Sequence, residues 1–375
     1  MPCNHFLSCC GATPGRAVGL LDKLLGKSAH TVTARPSGVS FEVRANQSIL
    51  EAALAQGIAF PHSCTVGTCG SCKCRLKSGR IREITNFGYV LSAAELQGDV
   101  ILACQAAPKT DLELEVAGLA SKRLHPAGDF TGRITAQDAL TPDIRRVTLR
   151  LDRPLHFDAG QYVQLAVPEV FGARAYSLAI PPHADGCGEI ALFIRHVPGG
   201  AFTDLLFDGR LDDVELRVHG PSGNFWLRES RAPMLCVAGG SGLAPLLSLL
   251  EDAAARDVGR PCVVLFGART QADLYAQDAI AAVGERWNGA FSFVPVLSDE
   301  PASSDWAGAR GLVTAHIAAS FTAFTAPDAE AYLCGPPPMI DAAEPVLREL
   351  GIAAENTHCD RFLDGSHGLA RQELG

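Results

Sequence analysis

The spacing of apolar residues divides the chain into segments with different periods. In residues 31–118, apolar and polar positions alternate at 39–43 and again at 112–116, which predicts strands whose two faces differ in polarity. Between these strands, Ser48 precedes a run with helical spacing and Glu51 follows three residues later, the pattern of a capped helix start. We therefore expect a small domain of mixed strands and helix at 31–118.

Two further domains are predicted after a linker at 119–128. Residues 129–228 contain short strands separated by turns rich in Pro, Asp and Gly, which favours a small antiparallel barrel. Residues 229–375 alternate short apolar runs with helical stretches, which predicts a parallel sheet with helices on both faces. The apolar runs lie at 234–238, 263–266, 293–297 and 331–334.

Residues 1–30 are expected to form an extension with an amphipathic stretch at 16–27. Its leucines recur at helical spacing beside Arg16, Lys23 and Lys27. Such a helix suits peripheral contact with a membrane surface or with a partner. Many packed surface helices carry the same pattern, and a disordered segment is the other alternative.

Composition narrows the functional classes. The 375 residues carry a net charge of −9, which argues against general nucleic-acid binding because neutralising phosphates needs a basic surface. The chain has 13 cysteines but no secretory signal and no apolar run of about 18 residues, so we expect a cytoplasmic protein with reduced thiols. Clustered cysteines in such a protein indicate a metal site or catalysis rather than disulfides.

Four cysteines have the spacing of a plant-type [2Fe-2S] site. Cys64, Cys69 and Cys72 follow the pattern C-x4-C-x2-C, and Cys104 lies 32 positions after Cys72. A cluster of this type needs four thiolates, and glycines in the loop let the backbone wrap closely around it. Zinc is the alternative metal, but zinc cysteines usually come as two matched pairs, which the lone Cys104 does not supply.

The strand that follows this loop has two faces. Lys73, Arg75 and Lys77 alternate with Cys74 and Leu76. Cys74 is therefore predicted to be a buried core thiol rather than a further ligand. The basic side chains form either a solvated face or a stripe that docks an acidic partner.

A flavin site is predicted in the barrel segment. Arg174, Tyr176 and Ser177 supply a cation for pyrophosphate, an aromatic face for the isoalloxazine and a hydrogen-bond donor near N5. A surface arginine beside a core tyrosine is the alternative interpretation.

A glycine turn downstream strengthens the prediction of a flavin site. Gly199 and Gly200 open a helix, and Thr203 is expected to bond a phosphate at the positive helix N-terminus.

A nucleotide site is predicted where two loops follow buried strands. The first loop lets the backbone approach a pyrophosphate at a helix N-terminus and consists of Gly239, Gly240, Ser241 and Gly242. The second loop consists of Cys334, Gly335 and Pro336. Ligands of open α/β sheets bind outside the carboxyl ends of the strands, where both loops lie. Cys334 is either close to the nicotinamide ring or a structural thiol.

With these motifs in order, the chain resembles the ferredoxin–NADP reductase superfamily. More narrowly, it is similar to the oxygenase reductases with an N-terminal plant-type ferredoxin domain, above all the xylene/toluene side-chain monooxygenase reductases. The resemblance covers about residues 35–365. It rests on the cysteine loop and on the stretches at 49–51, 57–62, 197–200, 266–269, 306–311, 332–339 and 360–362.

The resemblance implies a fold and a set of site residues. The fold is a β-grasp [2Fe-2S] ferredoxin domain, a six-stranded antiparallel FAD-binding barrel and an α/β parallel-sheet NAD-binding domain. Tyr176, Ser177 and Cys334 would form the reaction centre. FAD would also contact Arg174, Ile194, Gly199, Gly200, Thr203 and Phe362, and the nucleotide would contact Arg269. NADH is expected as the donor rather than NADPH, although an arginine can accept a 2′-phosphate.

Together these features predict an electron-transfer reductase. Hydride would pass from NADH to FAD, and single electrons would pass through the [2Fe-2S] cluster to an oxygenase. The expected partner is a di-iron monooxygenase that hydroxylates hydrocarbons, and a membrane-embedded partner would hold the reductase at the inner face of the membrane. A reductase for a Rieske-type aromatic dioxygenase or a deoxysugar dehydratase is the alternative. A non-enzymatic electron carrier is disfavoured by the flavin and nucleotide motifs.

Overall fold

The computed structural model describes residues 29–44, 46–62, 65–68, 70–117, 119, 125–321 and 329–362. The amphipathic stretch at 16–27 lies outside the described residues, as do Cys64 and Cys69. Within the described ranges, no helix is both long enough and apolar enough to cross a membrane. The domain boundaries at 118, 128 and 228 stay predictions.

The N-terminal domain has the predicted mixture of strands and helix. Its described elements are β1 (His30–Arg35), β2 (Ser40–Val43), α1 (Ile49–Ala55), β3 (Lys73–Ser78), β4 (Ile81–Glu83), α2 (Ala93–Gln97), β5 (Val100–Leu102), β6 (Ala106–Pro108) and β7 (Leu112–Glu115). Five of these described strands form one sheet in the order β2-β1-β7-β3-β5, in which β1 is antiparallel to β2 and parallel to β7. Ser48 caps α1 as predicted, because its hydroxyl accepts from the Glu51 backbone N–H at 3.1 Å.

The second domain is the predicted antiparallel barrel. Its elements are β8 (Gly128–Ala139), β9 (Ile144–Leu155), β10 (Tyr162–Ala166), β11 (Arg174–Ser177), β12 (Cys187–Arg195), α3 (Ala201–Phe207) and β13 (Leu216–Ser222). Among the described residues, six antiparallel strands run in the order β11-β10-β13-β8-β9-β12, and a bridge between Leu178 and Leu192 joins the two ends. Alternate side chains such as Val163 and Val218 are buried inside, which explains the period of two in this segment.

The third domain contains the predicted parallel sheet. Its described elements are β14 (Met234–Gly239), α4 (Leu243–Ala255), β15 (Cys262–Ala268), α5 (Gln277–Arg286), β16 (Phe291–Leu297), β17 (Ala309–Arg310), α6 (Ile317–Phe321), β18 (Glu330–Gly335), α7 (Pro337–Glu349) and β19 (Thr357–Arg361). The strands are parallel in the order β17-β16-β15-β14-β18-β19. Alternate residues of β14 enter different cores, since Cys236 packs with the α4 side and Val237 with the α7 side. Helices therefore cover both faces, as predicted.

Two edge strands of this sheet were not predicted from the sequence. β17 has only two residues, and β19 reads Thr-His-Cys-Asp-Arg, without an apolar run or a clean alternation. Edge strands that bury little apolar surface do not need such a pattern.

The barrel packs directly against the third domain, which is predicted to bind the nucleotide. Ser248 of α4 donates its hydroxyl hydrogen to the Ile180 carbonyl oxygen at 2.6 Å. The rings of Phe193 on β12 and Tyr275 meet edge to face, with their centroids 5.4 Å apart. These contacts bring β11 and β12 of the barrel beside the nucleotide domain.

The N-terminal domain contacts the barrel through a short segment next to the cysteine loop. The Asn224 amide nitrogen donates to the His62 carbonyl at 2.7 Å, and the amide oxygen accepts from the His62 N–H at 3.2 Å. Ala59 and Trp226 are both buried and pack on each other beside this pair. The segment at 59–62 is therefore attached to the barrel.

Candidate functional site

Two of the predicted cluster cysteines converge in the structure. Cys72 and Cys104 are 32 residues apart in sequence, yet their sulfur atoms lie 3.3 Å apart. Both side chains are buried, Cys72 directly before β3 and Cys104 in the turn after β5. The other two predicted ligands, Cys64 and Cys69, lie outside the described residues.

The loop around these cysteines fits an iron–sulfur cluster. Gly67 and Gly70 have positive φ angles of 81° and 73°, which favour glycine. A Cβ atom on Gly67 would lie 2.5 Å from Cγ of Gln105, and one on Gly70 would lie 2.9 Å from Cε of Lys73. The backbone is thus drawn in closely around the thiols, as a cluster held by loop cysteines needs. Cys74, predicted as a core thiol, is indeed buried in the domain core.

Arg174, Tyr176 and Ser177, three of the predicted flavin residues, lie along β11. The Tyr176 ring packs on Phe202 of α3 with the centroids 5.5 Å apart, and burial raises the pKa of its hydroxyl above the ordinary range. Arg174 is exposed, and its guanidinium donates to the carbonyls of Phe171 and Ala173 at 3.3 and 3.2 Å. The tyrosine therefore offers a neutral, half-buried ring, and the arginine a cation at the barrel surface.

The structure gives Thr203 a role within its own loop. Its hydroxyl donates to the Val197 carbonyl at 3.0 Å and accepts from the Val197 N–H at 3.2 Å. A Cβ atom on Gly200 would lie 2.6 Å from this hydroxyl, whereas Gly199, at a φ of 77°, faces open space. The hydroxyl thus shapes the turn, and its predicted contact with a phosphate stays a prediction.

Ile194 differs from the other predicted flavin residues. Its side chain has no exposed surface and lies in the barrel core. A cofactor outside the barrel core would therefore contact only the backbone of Ile194.

The two predicted nucleotide loops pack against each other at the carboxyl ends of β14 and β18. A Cβ atom on Gly242 would collide with the Cys334 carbonyl, and one on Gly239 would lie 2.7 Å from Sδ of Met339. Ser241 is half-buried between these glycines. Gly335 has a φ of 148°. Glycine is required at positions 239 and 242 because a side chain at either position would push the two loops apart.

Tyr275 is part of this site, although sequence reasoning did not identify it. Its hydroxyl donates to the Gly240 carbonyl oxygen at 2.9 Å, and its ring packs edge to face on Phe193 and Phe266. It thereby fixes the first nucleotide loop against the barrel. Pro336 of the second loop directly precedes α7 and is exposed.

Asp360 connects the flavin and nucleotide residues, and sequence reasoning did not identify it either. Its Oδ2 atom accepts from the Ser177 hydroxyl at 3.2 Å and lies 3.8 Å from the Cys334 sulfur. Burial raises the pKa of Asp360 to about 6, against the hydrogen bonds from Ser177 and Cys334, which lower it. Burial also raises the pKa of Cys334, which keeps its thiol neutral. The structure thus brings Ser177 and Cys334 together around one carboxylate.

Phe362 lies directly after β19. Its backbone N–H donates to the Gly335 carbonyl at 2.9 Å, and its ring is partly buried against the nucleotide-domain core. The end of the described chain is thereby held beside the second nucleotide loop, where the flavin side of the barrel is close.

Arg269 lies just after β15 and is held by two carboxylates. It donates to Asp273 at 2.6 Å and to Asp143 of the barrel at 3.0 Å. Arg195 also donates to Asp143, at 3.0 Å. Both bonds leave the same nitrogen, Nη2, so the two carboxylates balance the charge of Arg269 from one side of its guanidinium.

Three family models match the chain in the order of its domains. The 2Fe-2S iron-sulfur cluster binding domain matches residues 32–109, the oxidoreductase FAD-binding domain matches 131–226 and the oxidoreductase NAD-binding domain matches 236–345. The predicted fold and the three cofactor classes are thereby confirmed.

Curated relatives match nearly the whole chain. The xylene/toluene monooxygenase electron transfer component of Pseudomonas putida is 42% identical over 88% of this chain and 93% of the relative. The phenol 2-monooxygenase reductase component of Pseudomonas sp. strain CF600 is 36% identical over 91% of this chain and 96% of the relative. A crystal structure of an Amycolatopsis cytochrome P450 reductase aligns with a TM-score of 0.74 and 36% identity, covering 89% of this chain and 98% of that chain.

Proposed function

Because this chain belongs to the family of oxygenase reductases that join a [2Fe-2S] ferredoxin domain to FAD- and NAD-binding domains, we propose that it supplies electrons from NADH to an aromatic-hydrocarbon monooxygenase. It is an iron–sulfur flavin oxidoreductase with an oxygenase component as its partner. The observation that supports hydride transfer between nucleotide and flavin is the meeting of Ser177, Cys334 and Asp360, which brings the two predicted sites together between the barrel and the nucleotide domain.

The bound cofactors supply the redox chemistry, since FAD accepts a hydride from the nicotinamide and a [2Fe-2S] cluster carries single electrons. The protein positions these groups and excludes water. Tyr176 offers a neutral aromatic face, and the glycines of the two nucleotide loops let the backbone approach a pyrophosphate. The Ser177 hydroxyl donates its hydrogen to Asp360, which fixes the orientation of that side chain beside the flavin site. Cys72 and Cys104 would hold one side of the cluster, with Cys64 and Cys69 as the remaining ligands.

The choice of NADH over NADPH is supported by the state of Arg269. The extra phosphate of NADPH is bound most strongly by a guanidinium with free donors. Asp143 and Asp273 both accept from Nη2 of Arg269, so two negative charges already lie beside its guanidinium. A 2′-phosphate bound at Arg269 would be a third anion beside Asp143 and Asp273. The site therefore favours NADH, which has a neutral 2′-hydroxyl in place of that phosphate.

The choice of a hydrocarbon monooxygenase is supported by the relatives. The two curated relatives named above are components of a xylene/toluene monooxygenase and a phenol 2-monooxygenase. The sequence-based expectation of a di-iron partner is part of this proposal. The Amycolatopsis structure is described as a cytochrome P450 reductase, so the same architecture serves more than one kind of oxygenase.

A reconstitution experiment tests the proposed function. The purified holoprotein would replace the electron transfer component of Pseudomonas putida xylene/toluene monooxygenase, with toluene as the substrate. We expect NADH-dependent hydroxylation with this protein, and a kcat/KM for NADH at least about tenfold above that for NADPH. Reduction of ferricyanide without any hydroxylation would reject this type of oxygenase and leave a flavin reductase with another acceptor.

Membrane contact is a separate part of the proposal and is supported only by the sequence pattern at 16–27, which lies outside the described residues. That segment would hold the reductase at the inner face of the membrane, beside its oxygenase. Deleting residues 1–28 should lower binding to liposomes that contain acidic lipids. If the full-length protein and the truncated variant bound equally to these liposomes, the proposed membrane contact would be wrong.

A further inference from the structure

Residues 224–228, here called the junction segment, lie between β13 of the barrel and β14 of the third domain. The N-terminal domain contacts the chain at this same place. The Asn224 side-chain amide pairs with both backbone groups of His62, at 2.7 and 3.2 Å. The Trp226 ring packs on Ala59, and both side chains are buried. All three domains therefore meet at the junction segment.

Arg228 fixes the shape of the junction segment. Its Nη1 donates to the Trp226 carbonyl at 2.8 Å, and its Nη2 donates to the Asn224 carbonyl at 2.9 Å. The guanidinium carbon lies 3.7 Å from the centroid of the Trp226 ring, which is a cation–π contact. Burial lowers the pKa of Arg228 to about 10, so its side chain is still charged at neutral pH. One side chain thus orders both residues that contact the N-terminal domain.

The third domain holds Arg228 by its backbone. The Arg228 N–H donates to the Tyr332 hydroxyl oxygen at 2.9 Å, and the Arg228 carbonyl accepts from Nη1 of Arg260 at 3.2 Å. Tyr332 and Arg260 are buried and both donate to the Glu330 carboxylate, at 2.6 and 3.1 Å. The end of the junction segment is therefore attached to a buried polar network.

The other end of the junction segment is connected to the predicted flavin residues. The buried Gln161 side chain donates to the carbonyl of Gly223, the residue before Asn224, at 3.2 Å. The Gln161 carbonyl accepts from the Leu178 N–H at 3.0 Å, and Leu178 directly follows Ser177. A series of hydrogen bonds therefore runs from the end of β11 to the junction segment.

The contact of the junction segment with His62 lies close to the cysteine loop. Cys64, a predicted cluster ligand, is two positions after His62, and two residues of chain span at most about 7 Å. Transfer between two bound groups depends on how closely and in which orientation the protein holds them. The pair of Asn224 and His62 therefore lies where it would set the position of the cluster relative to the flavin.

We propose that Asn224 is a positioning residue for electron transfer from the flavin to the cluster, and that Arg228 holds Asn224 in place. This inference rests on the proposed function, because it names the contact that orders one of its electron-transfer steps. The Asn224 amide holds the start of the cysteine loop against the barrel, beside the strand that carries Ser177. Hydride transfer from nucleotide to flavin involves the barrel and the third domain, so it should not depend on this contact.

Anaerobic rapid mixing of the holoprotein with NADH separates the two steps. Flavin bleaching is followed by stopped-flow absorption, and cluster reduction by electron paramagnetic resonance of freeze-quenched samples. Asn224→Ala removes both hydrogen bonds to His62, so cluster reduction should slow roughly tenfold while flavin bleaching keeps its wild-type rate.

Arg228→Lys provides a second variant that leaves Asn224 in the chain. Lysine keeps the positive charge but lacks the planar fork that donates to two carbonyls, so cluster reduction should slow by about threefold. Gln137→Ala is the matched control, since its amide bonds to other residues of the barrel, Asp212 and Arg145. Both rates should be unchanged in this control.

Hydrogen–deuterium exchange provides a readout that does not depend on turnover. The His62 N–H donates to the Asn224 amide oxygen, so its exchange should be about tenfold faster in Asn224→Ala. Exchange in the barrel strands should be unchanged in the same variant. This result would show that the substitution releases the N-terminal domain without disturbing the flavin barrel.

The outcomes separate the inference from the proposed function. Cluster reduction at the wild-type rate in Asn224→Ala, despite faster exchange at His62, would overturn the positioning role. Flavin bleaching that slowed as much as cluster reduction would also overturn it, because Asn224 would then support the barrel as a whole. Wild-type holoprotein that reduces its flavin and cluster but gives no hydroxylation in the xylene/toluene system would reject the proposed oxygenase partner, and slower cluster reduction in Asn224→Ala would still support the positioning role.

Discussion

Ser177 of the flavin barrel and Asp360 of the last described strand are joined by a hydrogen bond of 3.2 Å across two domains. The same Asp360 oxygen lies 3.8 Å from Cys334, at the end of the central nucleotide strand. One carboxyl group therefore contacts both a predicted flavin residue of the barrel and a predicted nucleotide residue of the parallel-sheet domain. Because burial raises the pKa of Asp360 to about 6, its charge changes close to neutral pH.

The first prediction concerns the pH profile of NADH oxidation. Above about pH 6, ionised Asp360 accepts from Ser177 with full charge, so the rate should rise through that pH in the wild-type protein. Asp360→Asn keeps an oxygen acceptor but cannot ionise. We expect a flat profile and a rate about tenfold lower at pH 8, equivalent to one charge-assisted hydrogen bond. An Asn variant with the wild-type profile would contradict this role.

Thermal unfolding provides the control for Asp360→Asn. Because the pKa of Asp360 is higher in the folded protein, the folded state binds this proton more tightly than the unfolded state does. The resulting stabilisation is complete below the unfolded pKa and is lost as the pH rises through about 6. Asparagine at position 360 does not titrate, so its contribution to stability does not change with pH. Relative to the wild type, the variant should therefore become more stable as the pH increases from about 4 to about 8, while its rate falls.

The second prediction concerns nucleotide choice. Asp273→Asn removes one of the two carboxylates that balance Arg269, so kcat/KM for NADPH should rise about tenfold with little change for NADH. Asp252→Asn, which breaks a pair with Arg256 of 2.9 Å on α4, is the matched control and should leave the NADH/NADPH ratio unchanged. If kcat/KM for NADPH did not rise in Asp273→Asn, Arg269 would not be the residue that selects between NADH and NADPH.

The third prediction concerns the first nucleotide loop. Tyr275→Phe removes the hydroxyl that donates to the Gly240 carbonyl at 2.9 Å but keeps the ring packing on Phe193. Losing one hydrogen bond costs about 1 kcal/mol, so the KM for NADH should rise about fivefold. With saturating NADH, kcat for ferricyanide should stay within about twofold. If kcat fell and KM did not change, Tyr275 would act in the reaction centre rather than in holding the loop.

The fourth prediction concerns stability. Arg260 and Glu330 pair at 3.1 Å with only 3% and 10% of their side chains exposed, and Glu330 also accepts from the Tyr332 hydroxyl at 2.6 Å. Glu330→Gln leaves a buried guanidinium without its counter-charge and should lower the free energy of unfolding by about 3–5 kcal/mol.

An exposed ion pair gives the comparison for Glu330→Gln. Arg133 and Glu215 pair at 3.2 Å with 61% and 55% of their side chains exposed. Glu215→Gln should cost less than about 1 kcal/mol. Equal melting temperatures of the Glu330 and Glu215 variants would contradict the structural role of the buried pair.

Much of the fold could be predicted because its pattern is local. The four central strands of the parallel sheet are continuous apolar runs, and Ser48 begins its helix in the way that its spacing to Glu51 predicts. Cys72 and Cys104 could be paired because their spacing is that of plant-type cluster ligands, and their sulfur atoms do meet.

The remaining parts of the site depend on contacts distant in sequence. Asp360 lies 183 residues after Ser177, on an edge strand whose polar sequence carries no strand pattern. The Thr203 hydroxyl binds the backbone of its own turn, which its position in a glycine-rich motif does not reveal. The Asp-Arg-Phe stretch at 360–362 was the one available signal for Asp360, since it belongs to the resemblance found in the sequence.

The most direct measurement is anaerobic titration of the holoprotein with NADH, followed by visible absorption and electron paramagnetic resonance. We expect the flavin absorption to bleach and a rhombic signal of a reduced [2Fe-2S] cluster to grow, with Cys104→Ser losing or altering that signal while its flavin still bleaches. Bleaching without any cluster signal in the wild type, even after dithionite, would contradict the assignment of Cys64, Cys69, Cys72 and Cys104. The chain would then be a flavin reductase without an iron–sulfur centre.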